Sequence, residues 1–304
     1  MRSGGIARVA ALALLWGSGF LWTKVALRGF TPEQTVVARL VLGALVLAVV
    51  VRLVGSHLPT GRTTWLHLTG AATFGNVIPY LLFAIGLQEV DSSVGGMLNA
   101  TTPVWTVLIA VAANRQPRLP PAIVFGVVLG LCGTALIFAP WDSNSQFITR
   151  GALACLIGAV SYAISYVYIA HFLAGRTNSP LALSAGQLVA AAGLSLLIAV
   201  PVGDFNVPTW RTDAVVATII LGVLGTGAAY VLNYRIITDD GPVAASAVIY
   251  LLPAVAVALG VLVLNEDLAL HALAGVAIVL VGVALTRRYG RQPAIGTGDQ
   301  TPGL

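Results

Sequence analysis

Long apolar runs, separated by short polar joints, organise the whole sequence. Ten runs can be placed, at residues 6–27, 33–54, 65–88, 92–114, 121–141, 151–173, 180–202, 213–237, 242–264 and 270–289. A helix needs about 20 apolar residues to cross the ~30 Å hydrocarbon layer of a bilayer. The joints carry turn and capping residues, such as Thr31-Pro32 and Gly241-Pro242. The pattern predicts an all-α polytopic membrane protein with ten transmembrane helices, numbered here span one to span ten.

The chain repeats itself at a shift of about 150 residues. Tyr80 and Pro103 fall on Tyr230 and Pro253, and at a shift of 149 GVVLGLCGTAL (126–136) lies on GVAIVLVGVAL (275–285) with six of eleven positions identical. Each copy holds five spans, an odd number, so the copies enter a bilayer from opposite sides, as in the inverted repeats of transporters. We predict repeats at 1–145 and 146–290 and a disordered Gly/Pro/Thr-rich tail at 291–304.

Composition supports a membrane protein and narrows its partners. The chain is 58% apolar and 9% charged, against roughly 25% charged in a soluble domain. A net charge of +5 would suggest nucleic acid for a soluble protein, but here we interpret it as a topology signal. Cys132 and Cys155 lie in apolar runs and cannot form a four-ligand metal site. We expect a monomer with membrane lipid and a small-molecule substrate as partners, no nucleic acid, and no cofactor or metal.

The basic residues divide unevenly between the two sides of the membrane. One side holds Arg2, Arg8, Arg52, Arg62, Arg115, Arg118, Arg176, Arg235, Arg287, Arg288 and Arg291. The other side holds Lys24, Arg28, Arg150 and Arg211. Because cytoplasmic loops are enriched in Lys and Arg, eleven against four predicts that both termini are cytoplasmic in a bacterial plasma membrane.

Two prolines occupy matching depths in the two copies. Pro103 lies about ten residues into span four, about 15 Å deep, and Pro253 lies at the same depth in span nine. A proline in a helix removes one backbone hydrogen bond and clashes with the carbonyl four residues back, here those of Asn99 and Ile249. We therefore predict helix breaks for gating at both prolines, since broken helices at matching positions indicate a transporter site. The alternative is that the prolines only shape helix packing.

Polar side chains recur inside the spans. Asn76 and Tyr80, with Phe83, have the spacing of one helix face, and the shift of 150 turns them into Thr226, Tyr230 and Asn233. Such groups must bond to one another, to backbone or to a wet cavity. We predict a substrate cavity lined by spans one, three, four, six, eight and nine. Its candidate binding residues are Trp16, Ser18, Asn76, Tyr80, Asn99, Thr102, Tyr162, Ser165, Tyr166, Thr226, Tyr230, Asn233 and Tyr250.

Formal charge is rare inside the spans. Arg39 lies about seven residues into span two, where a cation must be paired or hydrated, and Gln187 is its counterpart 148 residues on. Lys24 lies near the outer end of span one and can reach the interface. No Asp or Glu lies in the middle of a span, so the cavity suits a neutral, zwitterionic or carboxylate-bearing metabolite better than a lipophilic cation. Gly17-Ser18-Gly19 is typical of close helix packing rather than of a nucleophile, and we expect no enzyme.

Several segments resemble one family. LLWGSGFLWTKVAL in span one, Pro32 followed by Arg39, the run through Pro103, and ALGVLVLNEDLALHALAGVAIVLVGVAL in spans nine and ten resemble the EamA-type members of the drug/metabolite transporter superfamily. The resemblance covers the chain except its tail. It implies ten helices in two inverted five-helix repeats, a central cavity, alternating access and, frequently, export of amino acids or related metabolites.

The resemblance also assigns positions. The family's recurrent positions are occupied by Trp16, Lys24, Arg39, Pro103, Pro253 and Glu266. The first copy departs from the pattern, because the glutamate that Glu266 supplies after span nine is replaced near Asn114 to Gln116. We therefore expect a helix-end or loop-packing role for Glu266.

The functional hypothesis is a plasma-membrane permease, an exporter or facilitator for amino acids, aromatic or otherwise neutral or zwitterionic. Two alternatives stay open. A proton-coupled exporter of drugs or metabolites would accumulate substrate in response to a pH gradient. A non-transporting membrane receptor would produce no flux.

Overall fold

A computed structural model describes residues 3–113, 121–138, 149–173, 179–202, 207–239, 242–267 and 269–289. The predicted disordered tail at 291–304 lies outside these residues, as do the prolines and arginines of the joint after span four.

Every predicted span contains helix. The spans comprise Ser3–Gly17 with Gly19–Ala26, Pro32–Leu53, Arg62–Ala72 continued to Glu89, Ser92–Asn99 with Thr102–Ala112, Pro121–Phe138, Arg150–Phe172, Pro180–Val202, Thr212–Ile219 continued to Asp239, Pro242–Leu264 and Leu270–Tyr289. Seven are long and apolar enough to cross a membrane, and Pro121–Ile137, Leu251–Leu264 and Leu270–Leu285 are shorter apolar helices. Large side chains such as Leu197 and Phe125 are exposed, as expected for surfaces that face lipid. The predicted all-α polytopic fold is confirmed.

Capping residues set where several spans begin. Thr31 accepts a hydrogen bond from the Gln34 backbone while the Gln34 side chain accepts one from the Thr31 backbone, which is a capping box, and Pro32 follows at the first helical position. Thr149 likewise accepts from the Ala152 backbone at the start of span six. These caps satisfy backbone N–H groups that have no partner within the helix.

Spans three and eight each contain a π-helical segment. The segments are Thr73–Val77 and Ile220–Ala228, and a shift of 150 places the first inside the second. A π-turn holds more residues than an α-turn, so it rotates the residues before it relative to those after it. Asn76, within the first segment, is fully buried between helices, while Tyr80, which follows the segment, lines a cavity. The face that α-helical spacing predicted for the two residues is therefore split.

The two prolines have different effects on their helices. Span four stops at Asn99 and restarts at Thr102, so Pro103 occupies the first turn of the new helix. The hydroxyls of Thr101 and Thr102 donate to the carbonyls of Leu98 and Asn99, both at 2.7 Å. Side chains that bond nearby carbonyls in this way compete with the helical ladder.

Span nine has no such break. Its helix runs from Pro242 to Leu264 through Pro253. The residues that correspond to Thr101 and Thr102 are Leu251 and Leu252, which have no hydroxyl to compete for a carbonyl. The expected helix break is therefore found at Pro103 and not at Pro253, because a proline alone removes only one hydrogen bond.

Spans five and ten pack through glycines in a reciprocal arrangement. A Cβ on Gly133 would lie 2.7 Å from the carbonyl oxygen of Gly275, and a Cβ on Gly282 would lie 2.5 Å from that of Gly126. The shift of 149 turns the first pair into the second pair, as a two-fold axis between the spans requires. The small residues let the two backbones approach closely, which is how helices associate in lipid.

The structure places Arg28 and Arg8, one residue from each charge set, at opposite ends of span one. At one end, Arg28 pairs with Asp213 at 3.5 Å and the backbone of Thr209 donates to Gly29. At the other end, Arg8 of span one pairs with Asp239 of span eight at 3.3 Å. We call the first the outer end and the second the inner end, following the prediction that both termini are cytoplasmic.

Candidate functional site

A cavity of about 640 Å³ lies between the helices. Its walls come from spans one, three, four, six, eight and nine, as expected, but also from spans two and seven. Span two contributes Arg39, and span seven contributes Pro180, Leu183, Ser184 and Gln187. The prediction of six lining spans was therefore too narrow.

Aromatic rings form most of the central wall. Trp16 lies edge-on to Tyr230 with ring centroids 6.1 Å apart, and Tyr162 contacts both Tyr80 at 6.4 Å and Phe83 at 6.0 Å. Phe20 meets Phe83 at 5.4 Å towards the outer end. All of these pairs except Tyr162–Phe83, whose rings are tilted by 32°, are edge-to-face contacts, which hold rings in defined orientations. The result is an apolar surface with phenol and indole polar groups at its margins.

Arg39 is the one formally charged side chain among the described residues that line the cavity. Its guanidinium carbon lies 3.8 Å from the centroid of the Tyr80 ring, and its Nε donates to Thr226 Oγ1 at 2.9 Å. The Thr226 hydroxyl itself donates to the carbonyl of Leu221 in the π-helical segment, so its oxygen presents lone pairs to Arg39. A cation–π contact and a directed hydrogen bond thus orient the arginine.

A neutral chain of hydrogen bonds occupies the place that the repeat relates to the Arg39–Thr226 bond. Gln187 Nε2 donates to Asn76 Oδ1 at 2.7 Å, and Asn76 Nδ2 donates to the Tyr230 hydroxyl at 3.0 Å. Since Asn76 is fully buried, it acts behind the wall and fixes Tyr230 and Gln187 rather than touching the cavity.

The structure places the thirteen predicted binding residues in different surroundings. Eight of them line the cavity, namely Trp16, Tyr80, Asn99, Tyr162, Ser165, Tyr166, Tyr230 and Asn233. Asn76 and Thr226 lie behind the wall, while Thr102 and Ser18 donate to carbonyls of their own span, Asn99 and Leu15. The side chain of Tyr250 lies outside the described part of the chain.

Several lining residues were missing from the predicted set. Phe20 and Leu252 are apolar, and an apolar residue in a span cannot be told from a core or lipid-facing one by its type. Gln187 and Ser184 carried a usable signal, because both are polar inside span seven. Gln187 was recognised only as the counterpart of Arg39.

The outer end of the cavity is bridged by polar contacts. Lys24 Nζ donates to the carbonyl of Val90. The Glu266 carboxylate accepts from the backbone and hydroxyl of Ser92, both at 2.7 Å, and from the Ser93 backbone at 2.9 Å. A carboxylate at a helix N-terminus is favoured by the helix dipole. The expected helix-end role fits the position of Glu266, which joins the end of span nine to the start of span four.

The two carboxyls at this end are shifted in opposite directions. Burial disfavours the charged form of Glu266, but the hydrogen bonds from Ser93 and Ser92 outweigh it and lower its pKa. Burial raises the pKa of Asp91, and the nearby Glu266 charge raises it further, while Lys24 opposes both. Asp91 precedes span four without a side-chain capping bond.

The cavity extends towards the inner end. Leu173 at the end of span six, Pro180 at the start of span seven and Ile237 near the end of span eight all line it. At the outer end, the lining reaches only Thr23 and the Phe20–Phe83 pair, below the Lys24 and Glu266 contacts. Among the described residues, the lining therefore reaches further towards the inner end than towards the outer end.

Comparison with known proteins identifies the family. Residues 3–139 and 149–288 each match the EamA-like transporter family, and the chain belongs to that family. It is a multi-pass membrane transporter of the plasma membrane.

The relatives are themselves named only as transporters. The chain is 26% identical over 260 residues to the uncharacterized inner membrane transporter YedA of Escherichia coli (82% of this chain, 79% of YedA). It is 24% identical over 273 residues to the uncharacterized transporter YdfC of Bacillus subtilis (90% and 87%). A crystal structure 21% identical in sequence superimposes with a TM-score of 0.65 and covers 97% of this chain and 100% of that one; at that identity it supports the fold alone.

Proposed function

We propose that this transporter moves neutral or zwitterionic amino acids, or similar small metabolites, across the plasma membrane by alternating access, as an exporter or facilitator. The observation that carries the proposal is the 640 Å³ cavity walled by tyrosines, Trp16, amides and hydroxyls. Ligand sites usually occupy about 300–1,000 Å³ and combine an apolar wall with a few placed polar groups.

The proposed mechanism is a rocking of one bundle of helices against the other, so that the cavity opens alternately to each side of the membrane. The contacts of Lys24 with Val90 and of Glu266 with Ser92 would separate in the outward-facing state. The interruption between Asn99 and Thr102 and the two π-helical segments supply places where a helix can bend without losing further backbone hydrogen bonds.

The test is counterflow of labelled amino acids, sugars and nucleosides into proteoliposomes that contain the purified protein. We expect amino-acid flux, and we expect Trp16→Ala and Tyr230→Ala to reduce it about tenfold or more, as loss of stacking and hydrogen-bonding contacts would do. Trp210→Ala is the matched control, because Trp210 is 74% exposed and distant from the lining. Unchanged flux in both cavity variants would remove these residues from the site.

The second candidate is a proton-coupled drug exporter. Proton relays inside membranes are built mainly on carboxylates and histidines, and the described cavity lining contains neither. A pH gradient that drives accumulation above equilibrium would favour this candidate, whereas simple equilibration favours the facilitator. A receptor would give no flux of any solute.

A further inference from the structure

We infer that Arg39 is a carboxylate anchor, so that the transported solute must carry a carboxylate and binds with that group at the end of the cavity where Arg39 and Gly19 meet. This inference rests on the proposed function, because it names the chemical class of the solute.

The terminal nitrogens of Arg39, Nη1 and Nη2, are available to bind a ligand. Nε is used by Thr226, and the face of the guanidinium is covered by Tyr80. Among the described residues, Nη1 and Nη2 have no hydrogen-bond partner. Two parallel N–H donors in one plane match the two oxygens of a carboxylate. The edge of the guanidinium that carries Nη1 and Nη2 is therefore available to bind an anion.

Gly19 leaves that edge accessible. Gly19 lines the cavity, and a Cβ built on it would lie 4.0 Å from Nη2. A larger side chain at this position would extend towards the terminal nitrogens. The absence of a side chain therefore leaves room for a solute to reach them.

The charge balance favours a solute that brings one negative charge. A cation inside a membrane protein is unfavourable unless it is paired or hydrated. No Asp or Glu appears among the described lining residues, so no protein carboxylate of the described cavity wall neutralises Arg39. A single arginine suits a monovalent carboxylate better than a divalent phosphate, and it repels an amine that lacks a carboxylate.

The rest of the wall is compatible with the remainder of such a solute. Tyr162, Tyr230 and Trp16 offer ring faces and edges to an apolar or aromatic body. The same rings can receive an ammonium group by cation–π contact, so a zwitterion fits without an acidic residue.

The experiment measures binding to the purified full-length protein in detergent by equilibrium dialysis. The probes are matched sets that share a phenyl, indole, isobutyl or methyl body and end in a carboxylate, a carboxamide or an amine. We expect at least one carboxylate to bind about 10- to 100-fold tighter than its amide and amine, the range of one charge-assisted contact. Arg39→Gln, which introduces the side chain found at Gln187, should abolish that preference.

Two further variants keep the test decisive. Arg52→Gln removes an exposed arginine from the same helix and should leave the preference unchanged. If Arg39→Gln does not purify as a monodisperse protein, Arg39→Lys replaces it. Lysine retains the charge but loses the planar fork and the Nε bond, so the preference should persist at a level about tenfold smaller.

The outcomes separate this inference from the proposed function. If no carboxylate binds better than its amide, or if Arg39→Gln leaves the preference intact, Arg39 is not the anchor. Flux of amides and amines equal to that of carboxylates in proteoliposomes would overturn the anchor and leave transport standing. A carboxylate preference lost in Arg39→Gln, with no flux of any probe, would leave the anchor standing and overturn transport.

Discussion

The two halves of the molecule make the same contact with different chemistry. Arg39 of span two, in the first half, bonds to Thr226 in the π-helical segment of span eight, in the second half. Gln187 of span seven, in the second half, bonds to Asn76 in the π-helical segment of span three, in the first half. The repeat therefore determines where a polar pair joins two helices. The residue types then decide the charge, and they place a cation at only one of the two related positions.

Spans four and nine also differ at positions related by the repeat, here in the backbone. Both contain a proline at the same depth, but only span four is interrupted. The difference comes from two hydroxyls, because Thr101 and Thr102 offer local donors to the carbonyls before Pro103 while Leu251 and Leu252 cannot. Matching prolines are thus insufficient for matching hinges.

The largest effect on stability is expected from adding a methyl group where spans two and eight are in close contact. A Cβ on Gly43 would lie 2.6 Å from Thr226 Cγ2, whereas a Cβ on Gly193 of span seven meets nothing within 4 Å. Gly43→Ala should lower the free energy of unfolding by about 2 kcal/mol through overpacking. Gly193→Ala should be neutral or stabilise the helix by up to about 1 kcal/mol. Unfolding in mixed micelles by added SDS measures both, and equal effects would contradict the asymmetry.

The next effect tests whether the interruption in span four serves transport. The double variant Thr101→Val with Thr102→Val keeps the side-chain shapes but removes the donors to the Leu98 and Asn99 carbonyls. We expect the rate of counterflow to fall about tenfold, equivalent to about 1.4 kcal/mol, while insertion into the membrane is unchanged.

Thr106→Val is the control for that variant. Thr106 also donates to a carbonyl, that of Thr102 at 2.9 Å, but it lies in the continuous part of the helix. Its replacement should leave the rate within about twofold, because no backbone interruption depends on it. A rate in the double variant equal to that of Thr106→Val would show that the interruption is not used.

A smaller effect on stability is expected at Glu266, where the end of span nine contacts the start of span four. Glu266→Gln retains an acceptor for Ser92 but removes the charge at the start of span four, so stability at neutral pH should fall by about 1 kcal/mol. The equivalent stretch of the first half, Asn114 to Gln116, has no acid to exchange.

The pKa shifts of Glu266 and Asp91 determine how stability should change with pH. Because the folded-state pKa of Glu266 is lowered, its stabilisation is present above the ordinary carboxylate pKa and is lost as pH falls through the lowered pKa. Asp91 has a raised pKa, so its ionised form destabilises the folded protein at neutral pH, and this cost is relieved as pH falls through the raised pKa. The melting temperature should therefore fall less on acidification in Glu266→Gln than in the unmodified protein. At neutral pH it should be higher in Asp91→Asn than in the unmodified protein. An unaltered acid dependence in Glu266→Gln would contradict the assignment.

The smallest difference concerns the acids that end spans three and eight. Glu89 accepts from the Gly151 backbone at 2.7 Å at the start of span six, while its counterpart Asp239 pairs with Arg8 at the surface. Asp239→Asn should cost less than about 0.5 kcal/mol, as exposed ion pairs do, and Glu89→Gln somewhat more because a helix N-terminus loses a charge. Thermal melts of the two variants measure the difference, and high salt should reduce both effects because Glu89 and Asp239 are both exposed.

Most of the fold could be predicted from the sequence because the hydrocarbon layer excludes unsatisfied polar groups, which makes membrane spans recognisable as long apolar runs. Span length and the Lys and Arg count follow from where polar groups can reside in a bilayer, and the shift of 150 is visible as self-similarity of the sequence. Part of the site followed too, since Tyr80 and Tyr230 are polar residues inside spans and both line the cavity. Phe20 could not be found in this way, because a ring that faces a cavity and a ring that faces lipid look the same in a sequence.

The sequence alone determined ten apolar spans, their repetition and the scarcity of charge inside them. Only the tertiary structure decided that Asn76 stands behind the wall, that span nine stays continuous and that Tyr80 and Thr226 orient Arg39. The physical reason is that hydrophobicity acts on each segment separately, whereas a π-turn, a competing hydroxyl and a cation–π contact depend on atoms that are brought together from distant parts of the chain.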